Sequence, residues 1–102
     1  MEAVDAGDAP WMAVGAAIAR CHRQRAHHAD LNANNILLDR EQQPWIIDWD
    51  RGRIETSAGA WMQRVLDRLQ RSLTKECATV PAARLAEGMA TLRAAHEREL
   101  AA

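Results

Sequence analysis

Residues 28–50, with the sequence HADLNANNILLDREQQPWIIDWD, decide the fold of this 102-residue chain. They contain two short apolar runs, Ile36-Leu37-Leu38 and Trp45-Ile46-Ile47, on either side of a polar turn at 39–44. Short runs of β-forming residues that flank a polar turn are typical of a β-hairpin. The sequence therefore predicts two short strands, and a loop rich in His, Asp and Asn precedes the first of them.

Outside the hairpin, apolar residues recur at the spacing of α-helices. Asp8 is a candidate N-cap with Pro10 in the first turn, and Pro81 stands near the front of the last periodic segment. The periodicity predicts three helices, over 8–24, 59–76 and 80–100. Three tryptophans fall on apolar faces and are expected in the core: Trp11, Trp45 and Trp61.

These elements predict one small domain over 1–102 that is mainly α with a short β-hairpin. Residues 25–52 hold the first loop, the hairpin and a second loop, between the first and second predicted helices. Apolar residues make up 48% of the chain and charged residues 26%, which excludes disorder as its main state.

The charge balance and the apolar pattern exclude further classes of protein. Thirteen basic and fourteen acidic residues give a net charge of -1, which is not the basic surface that nucleic-acid binding needs. No apolar stretch is long enough for a transmembrane segment, and the first residues are acidic where a signal peptide is basic. We therefore expect a cytoplasmic protein that does not bind nucleic acid.

Three polar residues lie at the ends of the two predicted strands: Asp30, Asn35 and Asp48. Folding the hairpin would bring Asn35 and Asp48 to the same end, close to the loop that holds Asp30. Phosphoryl transfer needs this combination, because a carboxylate can orient the acceptor hydroxyl and take its proton. A second carboxylate and an amide oxygen are ligands that Mg²⁺ prefers. Asp30 fits the role of catalytic base, and Asn35 and Asp48 fit the role of metal ligands.

The spacing H-x-D-x-x-x-x-N followed by I-D is that of the catalytic and metal-binding loops of protein kinases. The amino-acid sequence of the two loops, at 28–39 and 47–52, resembles that of the lipopolysaccharide kinase family. The resemblance is closest to those members that phosphorylate 3-deoxy-D-manno-octulosonic acid (Kdo). Residues 15–22 and 68–75 are similar to the helices that precede and follow these loops in the family. The resemblance covers about 11–76 and implies a protein-kinase-like fold.

The resemblance also implies cofactors, an acceptor and a location. ATP and Mg²⁺ would be the cofactors, and the acceptor would be a Kdo sugar on the lipid A precursor. The enzyme would act peripherally at the cytoplasmic face of the bacterial inner membrane.

Residue by residue, the resemblance implies that Asp30 is the catalytic base and that His28 braces the loop from within. Asn35 and Asp48 would hold the metal. Asn32 stands where protein kinases keep a Lys that neutralises phosphate, and Asp50 stands where they keep the Gly of D-F-G. Both are normal for the lipopolysaccharide kinase family, and Asp50 would add a carboxylate near the metal.

The nucleotide-binding elements of a kinase are missing from the sequence. Such an enzyme needs a Gly-rich loop, a Lys on a strand and a Glu on a helix. The single Lys75 follows every predicted catalytic element, and the five glycines never cluster. The sequence therefore predicts a C-terminal lobe with the N-terminal lobe absent, inactive alone. An isolated lobe would expose an apolar face, so we also expect self-association.

Two other functions remain open at this point. The chain could be a non-enzymatic remnant of a kinase that binds a metal or a partner and transfers nothing. It could also be a fragment of an aminoglycoside-type phosphotransferase, since that group shares the H-x-D-x-x-x-x-N and I-D-W outline. Asn32-Ala33 and Asp50-Arg51-Gly52 favour the lipopolysaccharide kinase family over the second alternative.

Overall fold

A computed structural model describes residues 7–102 of the chain. The elements in chain order are helix α1 (Asp8–Arg23), strand β1 (Ala26–His27), a 3₁₀ turn (Ala33–Asn35), strands β2 (Ile36–Leu38), β3 (Pro44–Ile46) and β4 (Arg53–Ile54), and helices α2 (Trp61–Glu76) and α3 (Ala82–Ala101). The structure is mostly helical with two small antiparallel sheets, so the predicted fold class is confirmed at this level.

The predicted hairpin is present as the antiparallel pair of β2 and β3. Ile36 pairs with Ile46, and Leu37 pairs with Trp45. Asp39 shapes the turn, because its Oδ1 accepts the backbone N–H groups of Glu41 and Gln43, both at 2.9 Å. A short polar side chain that bonds the backbone two residues ahead is a common turn former.

Trp45 lies at the surface, and its predicted place in the core is wrong. Successive side chains of a strand point to opposite faces, so the cross-strand pair of Trp45 and Leu37 faces away from the face that carries Ile36. Trp45 is 61% exposed, whereas Ile36 is 1% exposed. Trp11 and Trp61 are buried, as predicted. The large apolar side chains that are exposed within residues 7–102 are Met12, Leu37, Trp45, Ile47, Trp49 and Ile54.

A second sheet, formed by β1 and β4, was not among the predicted elements. Ala26 pairs with Ile54 and His27 with Arg53, and the N–H of Glu55 donates to the carbonyl of Arg25 at 2.8 Å. Two-residue strands are too short for any alternation to show in a sequence. The pairing joins the two ends of the segment that holds the hairpin, so it fixes both polar loops against the helices.

Two helix starts differ from the predicted ones. The N-cap of α1 is Gly7 at φ 94°, and Asp8 is the first helical residue, so its predicted capping role is wrong. Asp8 instead places a negative charge at the positive end of the helix dipole. Helix α2 begins at Trp61, two residues after the predicted start at 59, and Pro81 stands just before α3.

The core lies where α1 crosses α3 and where α2 covers the 3₁₀ turn. Gly15 permits the crossing, because a methyl group there would overlap the backbone oxygen of Leu92. Gly88 lies against the ring of Trp11, which a methyl group would also overlap. No helix within residues 7–102 is both long enough and apolar enough to span a membrane. The largest fully buried side chains of the core include Trp11, Ile18, Leu66, Leu69 and Leu92.

A pair of buried histidines links α1 to α3. His22 Nδ1 and His96 Nε2 lie 2.8 Å apart, and each of the two residues is 1% exposed. Because one ring nitrogen donates and the other accepts in this bond, at least one of the two rings is neutral. Burial, and then the neighbouring His96 and His27, lower the pKa of His22 to about 3. Burial, and then Arg93, lower the pKa of His96.

This histidine pair predicts a loss of stability in mild acid. The pKa values of His22 and His96 are lowered in the folded chain, so below pH 6.5 the unfolded chain binds more protons at these two residues than the folded chain does. The free energy of unfolding therefore decreases as the pH is lowered below 6.5. His22 alone would cost about 2 kcal/mol at pH 5 by this linkage. Urea unfolding between pH 7 and 5 measures the slope, and the double variant His22→Leu/His96→Leu should flatten it. An equally steep slope in the double variant would contradict the prediction.

Candidate functional site

His28 connects the two polar loops from inside the fold. Its Nε2 donates to the carbonyl of Ile47 at 2.8 Å, and the residue is buried, with 4% of its surface exposed. The ring lies 4.7 Å from the ring of Trp49 by centroids. The residue before Asp48 is thereby tied to the loop that carries Asp30.

Asn35 ties the same two segments together through its backbone. Its carbonyl accepts the N–H of Ile47 at 2.8 Å. Its side-chain Oδ1 accepts the N–H of Asn32 at 3.2 Å, and the Oδ1 of Asn32 accepts the N–H of Asn34 at 2.8 Å. These reciprocal bonds form a capping box that holds the 3₁₀ turn. Asn35 is therefore buried and fixed, and Asn32 shapes the loop.

Asp48 follows Ile47 in a left-handed backbone conformation, with φ 64°. Among residues other than glycine, Asp is one of the few types that adopt this region readily, and such conformations cluster at functional sites. The indole N–H of Trp49 donates to the carbonyl of Ile46 at 2.9 Å, and the N–H of Gly52 donates to the carbonyl of Trp49 at 2.7 Å. These bonds hold the turn in which Asp48 is exposed to solvent.

Asp50 lies exposed in the same turn. Within residues 7–102 its side chain makes no hydrogen bond and no ion pair. The structure therefore leaves the carboxylate of Asp50 open to solvent beside Asp48 in the chain.

Asp30 is half-exposed and faces two arginines. Arg68 Nη2 lies 3.1 Å from Asp30 Oδ1, and Arg51 Nη1 lies 3.8 Å from Asp30 Oδ2. The side chains of Asp30 and Arg68 are 41% and 49% exposed. Ion pairs with this exposure contribute about 0–1 kcal/mol, so Arg68 can leave Asp30 when a ligand binds.

Helix α2 contributes two contacts that the sequence did not identify. Arg68 reaches Asp30, and the hydroxyl of Ser72 accepts the N–H of Ala33 at 2.8 Å. Both residues lie one helical turn apart on the same face of α2. The regular spacing of basic residues along α2 was a signal for this face, but nothing local in the sequence says which loop it meets.

The arrangement suits a divalent cation bound by few protein ligands. Within the part of the chain that the structure describes, no three His, Cys, Asp or Glu side chains come together as a metal site. Mg²⁺ does not need such a cage, since it commonly takes one or two protein oxygens and completes its shell with water and phosphate. An amide oxygen accepts two hydrogen bonds, so Asn35 Oδ1 keeps a lone pair beyond its bond to Asn32. The carboxylate of Asp48 is exposed and is the other candidate oxygen in these loops.

Comparison with known proteins gives relatives over about two thirds of the chain. A 3-deoxy-D-manno-octulosonic acid kinase of Stenotrophomonas maltophilia (strain K279a) is 55% identical over 67 residues, which is 66% of this chain and 27% of that protein. The kinase of the same name from Xanthomonas euvesicatoria pv. vesicatoria is 54% identical over 67 residues, with the same two coverages of 66% and 27%. That of Xylella fastidiosa (strain 9a5c) is 52% identical over 65 residues, 64% of this chain and 26% of that protein.

The chain spans about a quarter of the length of these relatives. No solved structure matches it significantly. The family model that matches covers residues 3–93, which includes both polar loops and helix α2. This chain therefore belongs to the lipopolysaccharide kinase (Kdo/WaaP) family.

Proposed function

We propose that this chain is the catalytic part of a Kdo kinase, which transfers a phosphoryl group from ATP to a hydroxyl of a Kdo sugar on the lipid A precursor. In this proposal the chain forms the C-terminal lobe of a protein-kinase-like fold. The observation that carries the proposal is that two hydrogen bonds join the Asp30 loop to the Asp48 turn. His28 Nε2 donates to the carbonyl of Ile47, and the N–H of Ile47 donates to the carbonyl of Asn35.

Asp30 would act as the catalytic base. It lies at the surface, where an acceptor hydroxyl can reach it, and its loop is fixed on both sides by His28 and Asn32. Little covalent chemistry is required of the protein in phosphoryl transfer, so orientation of the hydroxyl and removal of its proton are the main tasks of such a residue. His28 would act as a positioning residue, because its contacts are with Ile47 and Trp49 and not with solvent.

Asn35 and Asp48 would hold Mg²⁺ with the phosphates of ATP, and Asn32 and Asp50 would border the nucleotide phosphates. When bound, the metal neutralises charge on the phosphates. The rigid turn around Asp48, closed by the Gly52 to Trp49 bond, would keep its carboxylate in place as the metal arrives. The Gly-rich loop, Lys and Glu of such a kinase would come from an N-terminal lobe.

Exposed apolar side chains on and near the two sheets would together form the face on which the N-terminal lobe and the adenine pack. Leu37, Trp45 and Ile54 are the most exposed large hydrophobic residues in the described part of the chain, at 47%, 61% and 75%. Isolated, this face would favour self-association. The site of action would be the cytoplasmic face of the bacterial inner membrane, where the chain meets its lipid-borne acceptor.

A chimeric kinase tests the proposal. The 67-residue matching segment of this chain replaces the equivalent segment of the Stenotrophomonas relative, and transfer of labelled phosphate from ATP is measured with three acceptors. We expect label on Kdo-lipid A precursor and none on an aminoglycoside or on water. Label on the aminoglycoside instead would favour the antibiotic-kinase alternative. A chimera that melts cooperatively yet transfers nothing would favour the non-enzymatic remnant.

A further inference from the structure

Four basic side chains form a line along one face of α2: Arg64, Arg68, Arg71 and Lys75. Their spacings of four, three and four residues place them on neighbouring turns of the same face. We call this line the basic row. It begins beside His27 and Ala29, and its second member contacts Asp30.

The positive charge of the basic row is mostly uncompensated. Within residues 7–102, Arg64, Arg71 and Lys75 have no ion-pair partner, and Arg68 pairs only with Asp30. Several other surface arginines are paired, as in the contact of Arg93 with Asp67 at 2.7 Å, whereas Arg25, Arg40 and Arg98 are unpaired within residues 7–102 but stand singly and not in a row. Like charges at these helical spacings repel one another, and the net charge of the whole chain is only -1. An unpaired cationic line on such a chain indicates an anionic ligand.

The row borders a groove that leads to the candidate site. The groove has a volume of about 340 Å³. One wall carries Arg68, Arg71, Ser72, Lys75 and one carboxylate, Glu76, and the other carries Asn32 and Asn34 of the catalytic loop. A second groove of about 280 Å³ lies along the row beside His27, Ala29 and Arg53. Arg68 and Arg71 line both grooves, and Arg68, like Arg51, also contacts Asp30, so a ligand in either groove beside Asp30 would meet cationic side chains.

We propose that the basic row binds the carboxylate of the acceptor sugar acid and so presents an acceptor hydroxyl to Asp30. This inference rests on the proposed function, because a 3-deoxy-D-manno-octulosonic acid carries one carboxylate beside its hydroxyl groups. The planar guanidinium of Arg71 matches a carboxylate in bidentate geometry, and Lys75 adds a point charge.

The geometry of the helix gives the acceptor a defined direction. With a rise of about 1.5 Å per residue, Arg71 and Lys75 lie about 4.5 Å and 10.5 Å along the axis from Arg68. An eight-carbon sugar acid can therefore have its carboxylate at Arg71 while a hydroxyl lies at Asp30. Arg68 leaves Asp30 in this arrangement and turns to the bound anion, which frees the carboxylate to accept the hydroxyl proton.

Titration of the 102-residue chain with small ligands tests this site without ATP. Amide chemical shifts are followed as Kdo, its methyl ester or inorganic phosphate is added. We expect saturable binding of Kdo with shifts in 32–34 and 68–75, and binding of the ester weaker by at least about tenfold. Arg71→Gln and Lys75→Gln should each raise the Kd for Kdo by about tenfold, as expected for loss of a charge-assisted hydrogen bond.

Arg98→Gln is the matched control, since Arg98 is exposed on α3 and has no ion pair within residues 7–102. Its Kd should equal that of the parent chain. Circular dichroism shows that each variant is folded, and Arg71→Lys tests whether charge alone suffices. Equal binding of Kdo and its ester, tighter binding of inorganic phosphate than of Kdo, or no saturable binding of Kdo would each overturn the proposal.

The outcome is separable from that of the proposed function. Binding of Kdo to the row in a chain whose chimera transfers no phosphate would support the carboxylate site and contradict the kinase. Phosphorylation of Kdo by the chimera, with KM unchanged in Arg71→Gln and Lys75→Gln, would support the kinase and contradict the carboxylate site.

Discussion

Replacement of Asp30 by alanine in the chimeric kinase is expected to lower kcat by at least about a hundredfold. The variant removes the carboxylate that would orient the acceptor hydroxyl and take its proton, and it leaves the bond from His28 to Ile47 in place. Affinity for ATP should change little, because Asp30 is not a proposed metal ligand. Steady-state transfer of labelled phosphate and a separate nucleotide-binding titration measure the two quantities.

Two control variants separate catalysis from structure. Glu41→Ala removes an exposed carboxylate from the hairpin turn and should leave kcat unchanged. Asp30→Asn keeps the shape of the side chain and should lose about as much activity as Asp30→Ala. Since Asp30 and Arg68 are both half-exposed, loss of their ion pair should change the melting temperature only slightly. A kcat within a fewfold of the parent value in Asp30→Asn would remove Asp30 from the chemistry.

The second large effect is expected at the crossing of α1 and α3. Gly15→Ala should destabilise the chain by about 2–3 kcal/mol, because its methyl group would overlap the backbone oxygen of Leu92 and would lie 3.2 Å from Ala95 Cβ. For a domain of this size the melting temperature would fall by roughly 10 °C or more. In an uncrowded helix the same change would stabilise by up to about 1 kcal/mol, so the sign of the effect reports the close approach.

Gly59→Ala is the control for this prediction. An added methyl group at Gly59 meets only Trp61 Cδ1 at 3.7 Å, which is an ordinary contact. Its melting temperature should stay near that of the parent chain. Thermal unfolding followed by circular dichroism compares the variants, and a Gly15→Ala chain that melts at or above the parent temperature would show that the helices do not cross at Gly15.

Local signals in the sequence were sufficient for the helices and for the hairpin. Both strands of the hairpin begin or end within one residue of the predicted runs, because Asp39 and the polar turn mark the reversal. The face on which Trp45 lies could not be predicted, since an apolar residue in a two-stranded hairpin can belong to either side. Asp8 failed as a cap because Gly7, one residue earlier, takes the left-handed conformation that begins the helix.

The site was predictable only in its local part. The spacing of His28, Asp30, Asn35 and Asp48 follows from the chain, and the structure shows the bonds from His28 and Asn35 to Ile47 that join their segments. The contact of Arg68 with Asp30 spans 38 positions of sequence, and an exposed arginine carries no sign of its partner. The second sheet, which fixes these loops, was not predicted either. Its strands are only two residues long, which is too short for a strand pattern to show in the sequence.

The most direct measurement is a ³¹P NMR spectrum of ATP and Kdo-lipid A precursor incubated with the chimeric kinase and Mg²⁺. A chimera that exchanges only residues 28–50, together with one that exchanges the whole 67-residue segment, guards against misfolding of either. A phosphomonoester resonance on the sugar, growing in step with ADP in the parent and absent in Asp30→Ala, is the predicted result. Folded chimeras that yield no sugar phosphate, or yield it equally without Asp30, would contradict the assignment of this chain as the catalytic part of a Kdo kinase.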